Sequence, residues 1–226
     1  MDVLRQLAER GAISTDRHFV YASGRHGAAY INLDHALPDT TLMARLCREL
    51  AAPFQGQAEI VAAPAVGGIV LAVLTAQALT SDGGAAIPAV WADKTGGGGL
   101  AVERAGFADL LRGRAALVVE DLITTGGSVA AVCREVERHG ARVVGVSAVC
   151  NRGGATAGEL RVPRLHSLAE VELAAFPADA CPLCAEEIPI VADVGHGGEF
   201  QALRPDYPGG FVPLISVGGE CPGRGV

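Results

Sequence analysis

Val118-Val119-Glu120-Asp121-Leu122-Ile123-Thr124-Thr125-Gly126-Gly127-Ser128 reads as the end of a buried strand, an acidic pair, a turn of small residues and the start of a helix. Each part has a physical job. The glycines let backbone N–H groups turn inward around an anion, the Thr and Ser hydroxyls add donors, and the following helix offers its positive N-terminus. Glu120 and Asp121, leaving the strand end, can accept hydrogen bonds from two ribose hydroxyls. No Gly-Lys-Ser or Gly-Lys-Thr follows the glycines, so this is not a nucleoside-triphosphate loop, nor is it a dinucleotide fingerprint. A Thr-Thr-Gly-Gly turn can also simply cap a helix. Two adjacent carboxylates at a strand end argue for a ligand, because they are costly unless something binds them.

Outward from this stretch, strand and helix patterns alternate. Downstream, a helix is predicted from Val129 to His139, stopped by Gly140, then a strand from Arg142 to Cys150. Upstream, strands are predicted at Glu59 to Ala63, Ile87 to Ala92 and Ala115 to Val119, with helices from Asp39 to Ala51 and about Gly68 to Leu79. That alternation signals parallel strands joined by crossover helices. Near-continuous apolar runs such as Ala115-Ala116-Leu117-Val118-Val119 fit a sheet covered on both faces. Between Lys94 and Arg112 the pattern fails. Thr95-Gly96-Gly97-Gly98-Gly99 is too permissive to pack, and a mobile loop is expected. A short amphipathic helix opens the chain, with Val3, Leu4, Leu7 and Ala8 on one face and Gly11 behind it. After Leu173 the periodicity weakens and Pro and Gly become frequent. The organisation expected is an N-terminal segment over 1–38, a core over 39–172 and an irregular tail over 173–226, an appendage and not a second domain.

Half of the 226 residues are apolar, enough for one substantial α/β core. With 25 acidic against 18 basic residues the formal charge is −7, which disfavours non-specific nucleic-acid or anionic-membrane binding. Any phosphate must then be held locally, by a shaped loop. No apolar stretch approaches the roughly 18 to 20 residues of a membrane span, and Met1-Asp2-Val3-Leu4-Arg5 lacks a basic-then-apolar leader, which points to the cytoplasm. Cys47, Cys133 and Cys150 sit in apolar runs and read as buried hydrophobes. Only Cys181 and Cys184 are spaced like ligands. A zinc site needs two more, with His166, His196 and Cys221 as candidates; the default expectation is a packed or redox-sensitive thiol pair in a tail turn, with no metal.

Glu120-Asp121-Leu122-Ile123-Thr124-Thr125-Gly126-Gly127-Ser128 resembles the phosphoribosyl pyrophosphate signature of the type I phosphoribosyltransferases. Four further segments, in family order, make the chain similar to orotate phosphoribosyltransferases over residues 1 to about 190. Ser23-Gly24-Arg25-His26, with Tyr30 and Asn32, resembles the N-terminal segment that lies over the substrate, although Gly27 stands where Ser is usual. Ala63-Pro64-Ala65-Val66-Gly67-Gly68 resembles the loop that contacts pyrophosphate through its backbone. Lys94 and Arg104, with Gly106-Phe107, resemble the basic residues of the catalytic loop. Asn151-Arg152-Gly153 resembles the orotate-binding arginine position, where the preceding residue is commonly Asp. Cys181-Pro182-Leu183-Cys184 resembles a motif of one branch of the family.

The resemblance implies a central parallel sheet flanked by helices, a small N-terminal hood and an irregular C-terminal appendage. It also implies transfer of the 5-phosphoribosyl group from phosphoribosyl pyrophosphate to orotate, with Mg²⁺ on the pyrophosphate. The 5-phosphate is expected in Thr124 to Ser128 and the ribose hydroxyls at Glu120 and Asp121. Lys94 and Arg104 are expected over the pyrophosphate, and Arg152, Arg25 and His26 at the base. A homodimer that shares the mobile loop between subunits is implied as well. Rival readings are transfer to another base, a non-catalytic regulator that binds phosphoribosyl pyrophosphate, and a nucleic-acid-binding regulator on the same fold, which the acidic composition disfavours.

Overall fold

Ala115 to Val119 is an unbroken apolar run, and the strand built on it, Ala115–Ile123, is buried from Ala115 through Glu120. In the computed structural model, which describes residues 2–80 and 84–214, it lies near the middle of a six-stranded sheet. From one edge the order is Leu165–Glu170, Arg142–Asn151, Ala115–Ile123, Ile60–Pro64 and Ala89–Lys94, all parallel, with Leu100–Ala101 antiparallel at the other edge. The expected parallel sheet is therefore present, with one short antiparallel strand added. Ala115–Ile123 runs four residues beyond the apolar stretch. Glu120 pairs with Ala148 and Leu122 with Cys150, so the acidic pair lies inside the strand and not past its end. The long neighbour Arg142–Asn151 keeps the ladder going where side-chain polarity alone suggests a stop.

The helices that connect the parallel strands pack against the sheet. Gly127–Arg138 packs through Val129, Val132 and Val136 against Ile60, Ala62, Val118 and Val146. Alternate residues of the same strands, Val61, Ala63, Leu117 and Val119, are equally buried, as the period of two requires for a sheet covered twice. Thr40–Ala51 and Gly68–Leu79 pack on each other and on the sheet. Thr40–Ala51 buries Leu42, Met43, Leu46, Cys47 and Leu50 on one face, and the Asp39 carboxylate accepts from the Leu42 amide at 2.9 Å. A cap of this kind is worth about 1 kcal/mol.

The glycine-rich stretch, expected as a mobile loop, forms the turn of a short hairpin. Asp93 pairs with Ala101 and Lys94 with Leu100, making a hairpin whose turn is Thr95 to Gly99. The Thr95 amide donates to the Gly99 carbonyl at 2.9 Å, and Gly98 takes φ +80°, which a side chain would strain. Helix Phe107–Leu111 follows.

Contacts divide the chain differently from the three expected segments. Leu33–Glu172 forms one compact unit; Asp2–Asn32 and the described residues 173–214 form a second. The N-terminal segment and the tail join because His26 and Phe176 exchange two backbone hydrogen bonds of 2.8 Å and the Val191 amide donates to the His18 carbonyl at 2.9 Å. Strands here are two residues long: Phe19–Val20 pairs with His26–Gly27, Ile13–Ser14 with Tyr30–Ile31, and Ile190–Val191 with Phe211–Val212. Among the described residues no helix is long and apolar enough to cross a membrane.

Candidate active site

Strand order reverses between Ile60–Pro64 and Ala115–Ile123, since the chain moves from the first to Ala89–Lys94 on one side and from the second to Arg142–Asn151 on the other. Open α/β sheets bind ligands at the carboxyl ends of strands at such a reversal. The turns after these two strands meet there: a Cβ at Gly67 would lie 3.2 Å from Oδ2 of Asp121. Glu120 and residues 122–129 line a solvent-open recess of about 210 Å³. Gly126 takes φ +75°, and a Cβ on it would come within 2.5 Å of the Leu160 side chain. Helix Gly127–Arg138 has no side-chain cap, so the amides of its first turn are available to an anion in the recess.

Glu120 is 6 % exposed. Burial first, and the neighbouring Asp121 second, push its carboxyl up to about 9. Both effects favour its protonated form. Oε1 of Glu120 accepts from the Asp121 amide at 3.1 Å, and Oδ1 of Asp121 accepts from the Leu122 amide at 2.6 Å, which fixes both carboxyl groups to the strand backbone. The pair thus places its carboxyl oxygens in adjacent positions.

Arg152 follows the neighbouring strand, and its amide donates to the Ile123 carbonyl at 2.8 Å, which ties it to the start of the anion turn. Gly153 is required beside it, because a Cβ there would sit 1.6 Å from the Thr124 carbonyl oxygen. Asn151 closes the next turn, donating from Nδ2 to the Ala155 carbonyl at 2.9 Å and accepting from the Ala155 amide at 3.1 Å. Lys94 is exposed at the end of its strand. Arg104 donates to both carboxylate oxygens of Asp93, at 2.9 and 3.1 Å, with its guanidinium 5.0 Å from the Trp91 ring centroid. Asp93 and Trp91 were not read as site residues from the sequence; alternation along Ala89–Lys94 does not reveal which arginine they meet.

The phosphoribosyl transferase domain family matches residues 35–166. Orotate phosphoribosyltransferase from Thermus thermophilus is 34% identical over 191 residues, 84% of this chain and 98% of its own length. The enzyme of the same name from Caldicellulosiruptor saccharolyticus is 34% identical over 175 residues, 77% and 86%. This chain belongs to the orotate phosphoribosyltransferase family. Among solved structures, the Mycobacterium tuberculosis orotate phosphoribosyltransferase in complex with phosphoribosyl pyrophosphate superposes with a TM-score of 0.54, at 27% identity over 75% of this chain and 96% of that one. An adenine phosphoribosyltransferase from Rhodothermus marinus shares the fold at 22% identity and a TM-score of 0.53.

Arg25 and His26, expected at the base, lie in the second unit. Arg25 donates to the Ala175 carbonyl through Nε at 3.1 Å. His26 departs from the expectation that it faces the base. It is 0 % exposed, and its Nδ1 is 2.9 Å from Nε2 of His18 and 3.3 Å from Sγ of Cys184. Its Nε2 is buried without a hydrogen-bond partner, with the Phe200 ring nearly perpendicular at 5.0 Å. Burial, with His18 second, pushes the His26 imidazole down to about 4, and burial pushes the Cys184 thiol up to about 11. The histidines that reach the cysteine pair are thus His18 and His26. His196 instead meets Glu199, His166 is on the Leu165–Glu170 strand of the first unit, and Cys221 lies outside the described residues. Only the spacing of His18 and His26 about a hairpin could have pointed to them.

Proposed function

We propose that this protein transfers the 5-phosphoribosyl group of phosphoribosyl pyrophosphate to orotate, giving orotidine 5'-monophosphate and pyrophosphate. The observation that carries the reading is the glycine turn before an uncapped helix, set beside the buried Glu120 and Asp121 at the sheet's reversal point. In this reading the amides and hydroxyls of Thr124 to Ser128 hold the 5-phosphate. Glu120 donates to one ribose hydroxyl and Asp121 accepts from the other, which orients the anomeric carbon. The backbone of Ala65 to Gly68 holds the pyrophosphate.

Breaking the anomeric C–O bond leaves positive charge on the sugar and negative charge on the leaving group, so alignment and charge stabilisation carry the rate. Lys94 and Arg104 close over the pyrophosphate and exclude water; Arg104 first leaves Asp93. Arg152 grips the orotate carboxylate, with Arg25 assisting at the base. The recess offers hydroxyl and carboxyl oxygens, hard donors that suit a hard divalent cation arriving on substrate phosphates. Mg²⁺, held largely by substrate oxygens and water, would neutralise charge on the leaving pyrophosphate. The working form is a cytoplasmic homodimer in which the Thr95 to Gly99 hairpin reaches the neighbouring site.

Pyrophosphate release is the test, measured with Mg²⁺, phosphoribosyl pyrophosphate and a panel of orotate, uracil and adenine. Release with orotate alone is expected. Release with adenine or uracil and not orotate overturns the acceptor, and no release with any base overturns the transferase reading.

A further inference from the structure

His18, His26, Cys181 and Cys184 take no part in the chemistry above, yet they meet inside the second unit. Their ligand atoms all lie within 4.8 Å of one another, and three of the four residues are buried. Nε2 of His18 is 2.9 Å from Nδ1 of His26, 3.8 Å from Sγ of Cys181 and 3.7 Å from Sγ of Cys184; the last sulfur is 3.3 Å from Nδ1 of His26. Metal bond lengths of roughly 2.0–2.1 Å to nitrogen and 2.3 Å to sulfur make the edges of a tetrahedron about 3.3–3.8 Å, close to these separations.

We propose that these four side chains form a structural zinc site that ties the N-terminal hairpin to the C-terminal segment.

The imidazole of His18 is already set for it. Its Nδ1 is 2.8 Å from the Ile188 carbonyl, which can only accept, so Nδ1 carries the proton and Nε2 turns its lone pair into the cluster. The Tyr207 hydroxyl donates to the same carbonyl at 2.8 Å and helps fix it. Without a metal, two thiols and two neutral rings share one imidazole–imidazole hydrogen bond of 2.9 Å and weak thiol contacts of 3.3 to 3.8 Å. With zinc, two thiolates balance the ion and the buried group is neutral. Four protein ligands leave no open position, which distinguishes a structural site from a catalytic one. Two sulfurs and two imidazoles suit zinc, where magnesium or calcium would need oxygen.

The unit also needs such a tie. Among the described residues its buried apolar clusters include Phe19, Tyr21 and Val191, and Val20, Ile190 and Tyr207, and its strands are two residues long. Short strands with small apolar clusters gain from a staple. The cysteines lie 158 to 166 residues from the histidines they meet, so the metal would close a very long loop.

Full-length protein, expressed with zinc in the medium and purified with reductant but without chelator or a histidine tag, is analysed for metals by plasma mass spectrometry. One zinc per chain is expected. The Cys181→Ser/Cys184→Ser double variant and His26→Ala should lose it, while His26→Cys, which still supplies a ligand, and His196→Gln should keep it. Because a variant can fail to fold, wild type stripped of metal and refilled with cobalt is read as well. It should show the visible bands of a tetrahedral thiolate site, lost on adding excess zinc. Folded wild type that binds neither metal overturns the proposal. So does zinc retained by the double variant, or a Cys181–Cys184 disulfide in folded, metal-free protein.

Discussion

Holding Glu120 protonated in the folded chain has a cost that depends on pH. An unfolded glutamate loses its proton near pH 4.3, whereas in the fold burial and Asp121 hold the carboxyl up to about 9. Across that window the native state binds a proton that the unfolded chain has released, so stability falls as pH rises from about 4.5 to about 9. Glu120→Gln removes the slope. Urea denaturation should find the variant equal to wild type near pH 4 and more stable by on the order of 1 kcal/mol or more at pH 8, with turnover reduced. Parallel stability profiles would remove the assigned proton. Arg152 carries the acceptor assignment. Its guanidinium can hold a planar carboxylate through two parallel hydrogen bonds. Arg152→Ala should lower kcat/KM for orotate by about 2–3 kcal/mol, roughly 30- to 150-fold, and barely change the KM for phosphoribosyl pyrophosphate. An unchanged orotate-to-uracil preference would sink that role.

At the scale of elements, the anion turn depends on its neighbour. Strand Arg142–Asn151 ends beside Ile123, and the turn after it passes so close to Thr124 that Gly153 admits no Cβ without moving backbone. Gly153→Ala should therefore push the Thr124–Gly126 turn out of place. A loss of about 1–3 kcal/mol of stability is expected, the usual range for overpacking, together with a raised KM for phosphoribosyl pyrophosphate. Thermal unfolding and initial rates measured together check it, and a variant with wild-type values for both would show that the turn tolerates displacement. The Asp93 to Arg104 ion pair belongs to this scale too. Four consecutive glycines suggest a chain too permissive to pack, but the ladder between Asp93–Lys94 and Leu100–Ala101 supplies partners that composition does not announce.

At the scale of the molecule, the proposed homodimer with a hairpin serving the neighbouring subunit would make two kinds of inactive chain complementary. Mixing a Lys94→Ala/Arg104→Ala protein with an Asp121→Asn protein should rebuild one intact site per mixed dimer. Random exchange then restores about a quarter of wild-type activity. No recovery, with exchange proven by mass spectrometry of tagged subunits, would mean that the loop acts in its own chain. The sequence by itself determined the α/β core and the family, because the strand, the acidic pair, the glycine turn and the helix from Val118 to Ser128 are local, and periodicity and turn chemistry are written in adjacent residues. The extent of strand Ala115–Ile123 was not legible, since its last four residues are held by the partner strand and not by their own polarity. Only the tertiary structure decided that Gly153 must be glycine, that Asp93 holds Arg104, and that His18 and His26 meet Cys181 and Cys184. Those contacts join residues that spacing along the chain cannot relate, and chain folding alone brings them within reach.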